Sequence, residues 1–429
     1  MARLRANEGG AKTKVSAARS AAFEILMLVG AGRGHSDELL HGRHLRGLAP
    51  ADRNLATALV LGVLRWQIAL DARVRPLLQK PNAALAAPVE IALRMGAFQL
   101  LHMDRIPAHA ALSESVELTR EAGEPHAAGM VNAVLRKLST APKPGQKLHE
   151  TTAAFAERLG HPAWLVERWV SAYGRAAALA ICKADQREPA CGALFAPEAD
   201  EAAMPLMDDG SRLVAELAAA SAPDAKRVWD CCAAPGGKTL VLARRLPEAE
   251  LLATDASARR LTALAERLER EGGGRVKTAE EDAVALPEEH GEFDLILCDV
   301  PCSGTGTLAR NPEIRHRLEA AEFARQAKRQ REILSAAFGR LAMGGRLVYS
   351  TCSLEREENE GVIEATFAGW TKSSRVRRVD VGGILQTMAE RFQNAMDGVA
   401  ITSGEYLRTL PGNGFDGDGF FAAVFERVK

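Results

Sequence analysis

From residue 208 to the C-terminus, short apolar runs alternate with longer amphipathic segments, and no other feature of the chain restricts its fold as much. "RVWDCC", "ELLATD", "FDLILCD", "GRLVYST" and "GFFAAVFERV" have the length and apolar character of strands, and the more polar "RVKTAEED" takes a strand's place in the alternation. "GKTLVLARRL", "ASARRLTALAERLERE" and "AAEFARQAKRQREILSAAFGRLA" lie between them with helical spacing. Buried strands joined through helices predict an α/β fold, a parallel, doubly wound sheet with its ligands at the carboxyl ends of the strands.

The first part of the chain has a different period. Over residues 14 to about 140, "AARSAAFEILMLV", "DRNLATALVLGVLRWQIALDARVRPLL", "APVEIALRMGAFQLLHM" and "GMVNAVLRKL" repeat apolar residues every three or four positions. This region is expected to be all-helical, with Asp52 as a helix N-cap and "IPAHAALSES" as a break before the next helix. "TAPKPGQK" reads as a linker, and residues 150–185 as one or two more helices. The boundaries expected from these patterns are 1–140, 141–207 and 208–429.

The 429 residues suffice for two or three cores. No run of eighteen apolar residues is present, so no membrane partner is expected. The basic start, "MARLRANEGGAKTKVSAARS", is not followed by the apolar core of a signal peptide. Seven cysteines without a regular framework suit free thiols, and the chain is expected to be cytoplasmic and monomeric. The formal charge is zero but segregated: basic over 1–140, acidic over 200–300, basic again over 300–346. That distribution suits a polyanion approaching a pocket for a small cation, or ordinary solvated helix faces.

"VWDCCAAPGGKT" is a strand entering a glycine turn and then a helix. A triphosphate loop would need a glycine five residues before Gly237, where Cys232 stands. The candidate contacts for a different, nucleoside-type ligand are Cys232, Ala233, Ala234, Pro235, Gly236, Gly237 and Lys238. Asp255 ends the next strand, where a carboxylate can accept from both ribose hydroxyls. Asp282 follows the third strand, placed for an adenine amino group. Each alone is more often a loop or cap carboxylate. Together, in an acidic pocket suited to a sulfonium, they point to S-adenosylmethionine as cofactor.

Two cysteines leave strands into polar loops: Cys302 in "DVPCSGTGTLARNPEIR" and Cys352 in "RLVYSTCSLEREENE". Cys298, inside its strand, reads as a small hydrophobe. With no CxxC and no histidine beside either thiol, metal ligation is not expected.

These motifs, in this order, resemble the Nol/Nop/Sun RNA cytosine-5 methyltransferases. The resemblance rests on "CAAPGGKT", "ATDAS", "FDLILCDVPCSGTGTLARNPEIR", "GGRLVYSTCSLEREENE" and "DGDGFFAAVFE". "LVLGVLRWQIALD", "GAFQLLHMDRIPAHAALSESVELTR" and "GMVNAVLRKL" resemble the NusB-like helical RNA-binding domain that precedes some members. It implies a Rossmann-like methyltransferase domain acting on RNA, with small-subunit ribosomal RNA (16S) the expected partner. It further implies that Cys352 attacks C6 of the cytosine, that Cys302 assists product release, and that Asp299 and Lys238 lie beside the base. An ordinary thiol has a pKa of roughly 8.5, so such a nucleophile needs activation. The target must be unstacked to be reached. Arg310, Arg315, Arg317, Arg325, Lys328, Arg329 and Arg331 are candidates for its phosphates, or simply a solvated face.

The chain departs from the pattern between "REPACGALFAPEADEAAMP" and "LMDDGSRLVAELAAA", where the family carries a longer RNA-binding segment. Cys231 also stands where the family commonly has leucine. A DNA or transfer-RNA methyltransferase, or a non-catalytic ribosome-assembly factor, remains open at this point. Residues 374–414 carry no functional reading beyond a peripheral cover.

Overall fold

The computed structural model describes residues 15–142, 150–189, 192, 195, 204–371, 375–391, 402–403 and 405–428. The linker at 143–149, most of the shortened segment at 190–203 and much of 392–404 lie outside the described residues. The chain forms two compact units: Met1–Arg168 with Asn311–Glu313, and Trp169–Arg310 with Ile314–Lys429.

The first unit is helical. Helices α1 (Ala17–Gly30), α2 (Ser36–His41), α3 (Pro50–Val74), α4 (Ala87–His102), α5 (Ala108–Glu121), α6 (Ala128–Thr140) and α7 (Thr152–Arg158) follow in order. Asp52 is not the cap of α3: the helix opens earlier, with Ala49 at the cap and Pro50 at the first position. Proline is preorganised for that position, and Asp52 then sits in the first turn, where its charge favours the helix dipole. The stretch Pro50–Leu77 is the one described helix long and apolar enough to cross a membrane. Its apolarity is spent on the helical core, where Leu59, Val60, Val63, Leu70 and Val74 are buried. Helix α8 (Ala163–Ala184) bends at Gly174, whose φ of 82° breaks the helical run.

The second unit is built on strands β1 (Arg227–Asp230), β2 (Glu250–Thr254), β3 (Lys277–Ala279), β4 (Phe293–Asp299) and β5 (Leu341–Thr351). The remaining strands are β6 (Val376–Val379), β7 (Thr402–Ser403), β8 (Tyr406–Arg408) and β9 (Phe421–Arg427). Its helices are α9 (Asp209–Ser221), α10 (Gly237–Arg245), α11 (Ala258–Arg270), α12 (Ile314–Arg317), α13 (Ala320–Gly339), α14 (Glu360–Thr371) and α15 (Val381–Arg391). The sheet order is β3-β2-β1-β4-β5-β9-β8-β7, with β6 also on β9. The first five strands are parallel, as the alternation predicts. The sheet as a whole is mixed, because β9 runs antiparallel to β5, β6 and β8. Three of these additional strands are two to four residues long, too short to show a period in sequence.

Alternation along the strands sorts the core into two layers. Val228, Leu251, Leu295, Leu297 and Val348 pack on one face, with α9 and α10. Trp229, Leu252, Ile296, Cys298, Leu347 and Tyr349 pack on the other, with α13. Cys298 is therefore the small core residue that its place inside the strand predicts. Order reverses between β1 and β4, so the loops leaving these strands open a crevice at the sheet's carboxyl edge. The end of β5 lies beside β4, with Asp299 opposite Ser350.

Candidate active site

The loop after β1 is tied to the end of β2 and to itself. The Ala233 amide donates to Thr254 O at 2.9 Å and the Gly236 amide to Ala233 O at 2.8 Å. Gly236 has a φ of 95°, and a Cβ there would meet Leu264 Cδ1 at 2.4 Å. Only glycine permits both the left-handed backbone and the approach of α11. Gly237 then starts α10, and Lys238 in its first turn projects into the crevice.

Two buried carboxylates border this loop, each with one oxygen awaiting a donor. Asp230 Oδ2 accepts from Thr239 Oγ1 at 2.7 Å, while its Oδ1 makes no hydrogen bond. Burial, reinforced by nearby Asp299, pushes the Asp230 carboxyl up to about 7. Asp255 Oδ1 accepts from the Ser257 amide at 3.0 Å. Its buried Oδ2 makes no hydrogen bond, with Arg260 Nη2 at 3.4 Å. Buried acceptors without donors are rare, and a ligand bearing hydroxyl or ammonium groups would complete both. Asp282 is exposed and accepts from the Val284 amide at 3.0 Å, so it caps a short turn.

Across the crevice, Lys238 Nζ lies 2.7 Å from Asp299 Oδ2 and donates to Ser211 Oγ at 2.8 Å. It also stands over the Phe420 ring, 4.9 Å from the centroid. Asp299 Oδ1 accepts from Ser350 Oγ at 2.8 Å, so neighbouring strands clamp this carboxylate. Burial works against the lysine's charge, but Asp299, Cys352 and Asp230 outweigh it and raise its pKa. Cys302 Sγ and Cys352 Sγ are 3.3 Å apart. The contact with Cys352, burial and the Glu358 carboxylate push the Cys302 thiol well above its ordinary value.

Sequence reasoning thus found the four groups that converge, Cys302, Cys352, Asp299 and Lys238, together with the loop that carries the lysine. It missed their supports: Ser211, Ser350, Phe420 and Asp230. Asp230 was readable, as the acid that ends a strand ahead of a glycine turn. The others had no local signal, because they arrive from distant parts of the chain. Two of the arginines assigned to phosphates are otherwise engaged. Arg310 donates from Nε to Asp418 Oδ2 and from Nη2 to Asp208 Oδ2, both at 2.8 Å. Arg315 is buried, and its Nη2 donates to Leu308 O at 3.2 Å. A guanidinium offers five donors, and buried carboxylates or carbonyls claim them before solvent-borne phosphates can. Arg317, Arg325, Lys328, Arg329 and Arg331 are exposed.

Comparison with known proteins places the chain in a family. Residues 218–426 match the family model "16S rRNA methyltransferase RsmB/F", and residues 16–140 match the NusB family. A ribosomal RNA small subunit methyltransferase B from Pseudomonas syringae is 34% identical over 378 residues, covering 77% of this chain and 82% of that protein. Its namesake from Xanthomonas campestris is 33% identical over 395 residues, covering 81% and 87%. The crystal structure of PH0851 superposes with a TM-score of 0.71 at 20% identity, over 97% of this chain and 100% of that one, which shows a common fold. The chain therefore belongs to the 16S rRNA methyltransferase RsmB/F family, with a NusB-family helical domain ahead of its Rossmann-like catalytic domain.

Proposed function

We propose that the chain transfers a methyl group from S-adenosylmethionine to C5 of a cytosine in small-subunit ribosomal RNA, through a transient bond between Cys352 and C6. One observation carries the reading: two thiols 3.3 Å apart lie at the same sheet edge as a lysine–aspartate pair 2.7 Å apart. In this reading residues 1–140 grip RNA, 141–207 form a shortened connecting subdomain, and 208–429 perform the chemistry.

S-adenosylmethionine fits the residues present, because the orphaned oxygens of Asp255 and Asp230 match a ribose hydroxyl and an amino-acid ammonium. Asp282 would meet the adenine, and the Cys232–Gly237 backbone would line the nucleoside. When bound, it supplies an electrophilic methyl group on a sulfonium. The protein supplies the nucleophile and handles the protons. Cys352 gives its proton to Asp299, and its sulfur pair forms a bond to C6. Addition at C6 leaves the former C5–C6 π pair on C5, which would accept the methyl group that the sulfonium supplies, the carbon–sulfur pair remaining with the donor. A water ordered by Cys302 takes the C5 proton. The C5–H pair then restores the double bond, and the C6–S pair leaves on Cys352. Lys238 offsets negative charge that develops toward the base O2 while Cys352 is attached.

Denaturing gels after incubation with RNA and S-adenosylmethionine test this. Cys302→Ala should accumulate a covalent protein–RNA adduct, and Cys352→Ala should form none and methylate nothing. The opposite pattern would overturn the assignment and favour attack by Cys302.

A further inference from the structure

Glu358 has no exposed surface, yet no cation neutralises it among the described residues. Three neutral donors converge on its carboxylate. Oε2 accepts from the Ser303 amide and from Gln330 Nε2, both at 2.9 Å, and Oε1 accepts from Ser353 Oγ at 2.7 Å. Ser303 directly follows Cys302, and Ser353 directly follows Cys352. Gln330 Nε2 also donates to Pro301 O at 2.8 Å, so the peptide groups on both sides of Cys302 are held by this one pair of side chains. Tyr349 OH donates to Glu358 O at 2.6 Å and fixes the carboxylate's own backbone to β5. Further bonds join the same two loops: Ser303 Oγ to Ser353 Oγ at 3.1 Å and the Leu354 amide to Thr305 Oγ1 at 2.9 Å.

A buried carboxylate without a counter-ion is costly to keep, and apolar packing would serve a merely structural turn better. What this one does, and no apolar group can do, is bind two loops through hydrogen bonds to residues adjoining the two thiols. We propose that Glu358 is a positioning residue that sets the separation of Cys302 from Cys352, and thereby the release of methylated RNA from Cys352. The inference rests on the covalent reading above. Attack on C6 needs only Cys352 and its activating pair. Release also needs Cys302 at the C5 side, so displacement of the Cys302 loop slows the second half of the reaction more than the first.

The test uses the full chain, an in-vitro transcript of small-subunit ribosomal RNA and methyl-labelled S-adenosylmethionine. Glu358→Ala should lower kcat by about a hundredfold, the cost of roughly 1 Å of misplacement. KM for S-adenosylmethionine should stay within about twofold, and the share of protein bound covalently to RNA at steady state should rise above wild type. Glu358→Gln keeps an oxygen for the Ser303 amide and should lose less than about tenfold. If Glu358→Ala does not fold, Gln330→Met removes a tether from the same loop and should shift kcat and adduct in the same direction, by less. Loss of activity without adduct, or unchanged kcat and adduct in the variant that folds, overturns the proposal. Cys302→Ala run alongside separates the two failures: adduct there but not in the Glu358 variants rejects the positioning role alone. No adduct in Cys302→Ala rejects the covalent reading itself.

Discussion

Replacing Gly306 with alanine should uncouple the two cysteine loops. Gly306 is buried where three backbone segments meet. Its amide donates to Cys352 O at 2.9 Å, and its carbonyl accepts from the Gly419 amide at 2.8 Å. A Cβ would stand 2.3 Å from Gly419 O and 2.9 Å from Cys352 O. A carbon–oxygen contact needs about 3.3 Å, so something must retreat by roughly 1 Å. Both obstacles are main-chain atoms, which cannot rotate aside as a long side chain would. The retreat breaks or lengthens both hydrogen bonds, each contributing about 1 kcal/mol net and more once its buried partner is left unpaired. The expected loss of stability is about 2–4 kcal/mol. The same shift moves the Cys302 loop against Cys352, for which about a hundredfold in turnover is expected. Urea denaturation gives the first quantity, and methyl transfer to a small-subunit ribosomal RNA transcript gives the second. A Gly306→Ala protein within about 0.5 kcal/mol of wild type and within threefold in kcat would refute the reasoning, since the loops would then have slack that the contacts deny.

Two further outcomes are expected. Asp230 keeps its proton up to about pH 7 in the folded chain, above the ordinary 3.8. Between roughly pH 4 and 7 the folded state therefore holds a proton that the unfolded chain releases, and stability falls as pH rises through that window. Asp230→Asn should flatten the fall in Tm over the same range, and an unchanged slope would contradict the assignment. Asp255→Ala removes the acceptor left open for a ribose hydroxyl and should weaken S-adenosylmethionine binding by about 10–100-fold in calorimetry. Equal affinity would show that the ribose lies elsewhere.

The chain's own periodicities determined a good deal. Apolar runs of strand length between helical stretches specified β1, β2, β4 and β5 and the carboxyl-edge crevice, because burial on both faces leaves no other use for such runs, whereas the polar edge strand β3 was legible only from its place in the alternation. The glycine turn and the acids ending β2 and β3 could likewise be read locally, since φ and hydrogen-bond capacity belong to single residues. The cap of α3 was misplaced because Asp52 and Pro50 are both N-terminal signals two residues apart, and only packing chooses between them.

Tertiary structure alone decided how these parts meet. Nothing in the spelling of "TCS" or "PCS" says that the sulfurs stand 3.3 Å apart, or that Glu358 holds both loops. Nor could Arg310 be seen to bind Asp208 and Asp418, carboxylates about a hundred residues away on either side. Ser211 reaches Lys238 from a different helix, and Phe420 supports the same lysine from the last strand's approach. Sequence patterns report what a residue needs from its immediate neighbours along the chain. Distances between loops come from the sheet's order and register, which are set by the packing of the whole domain.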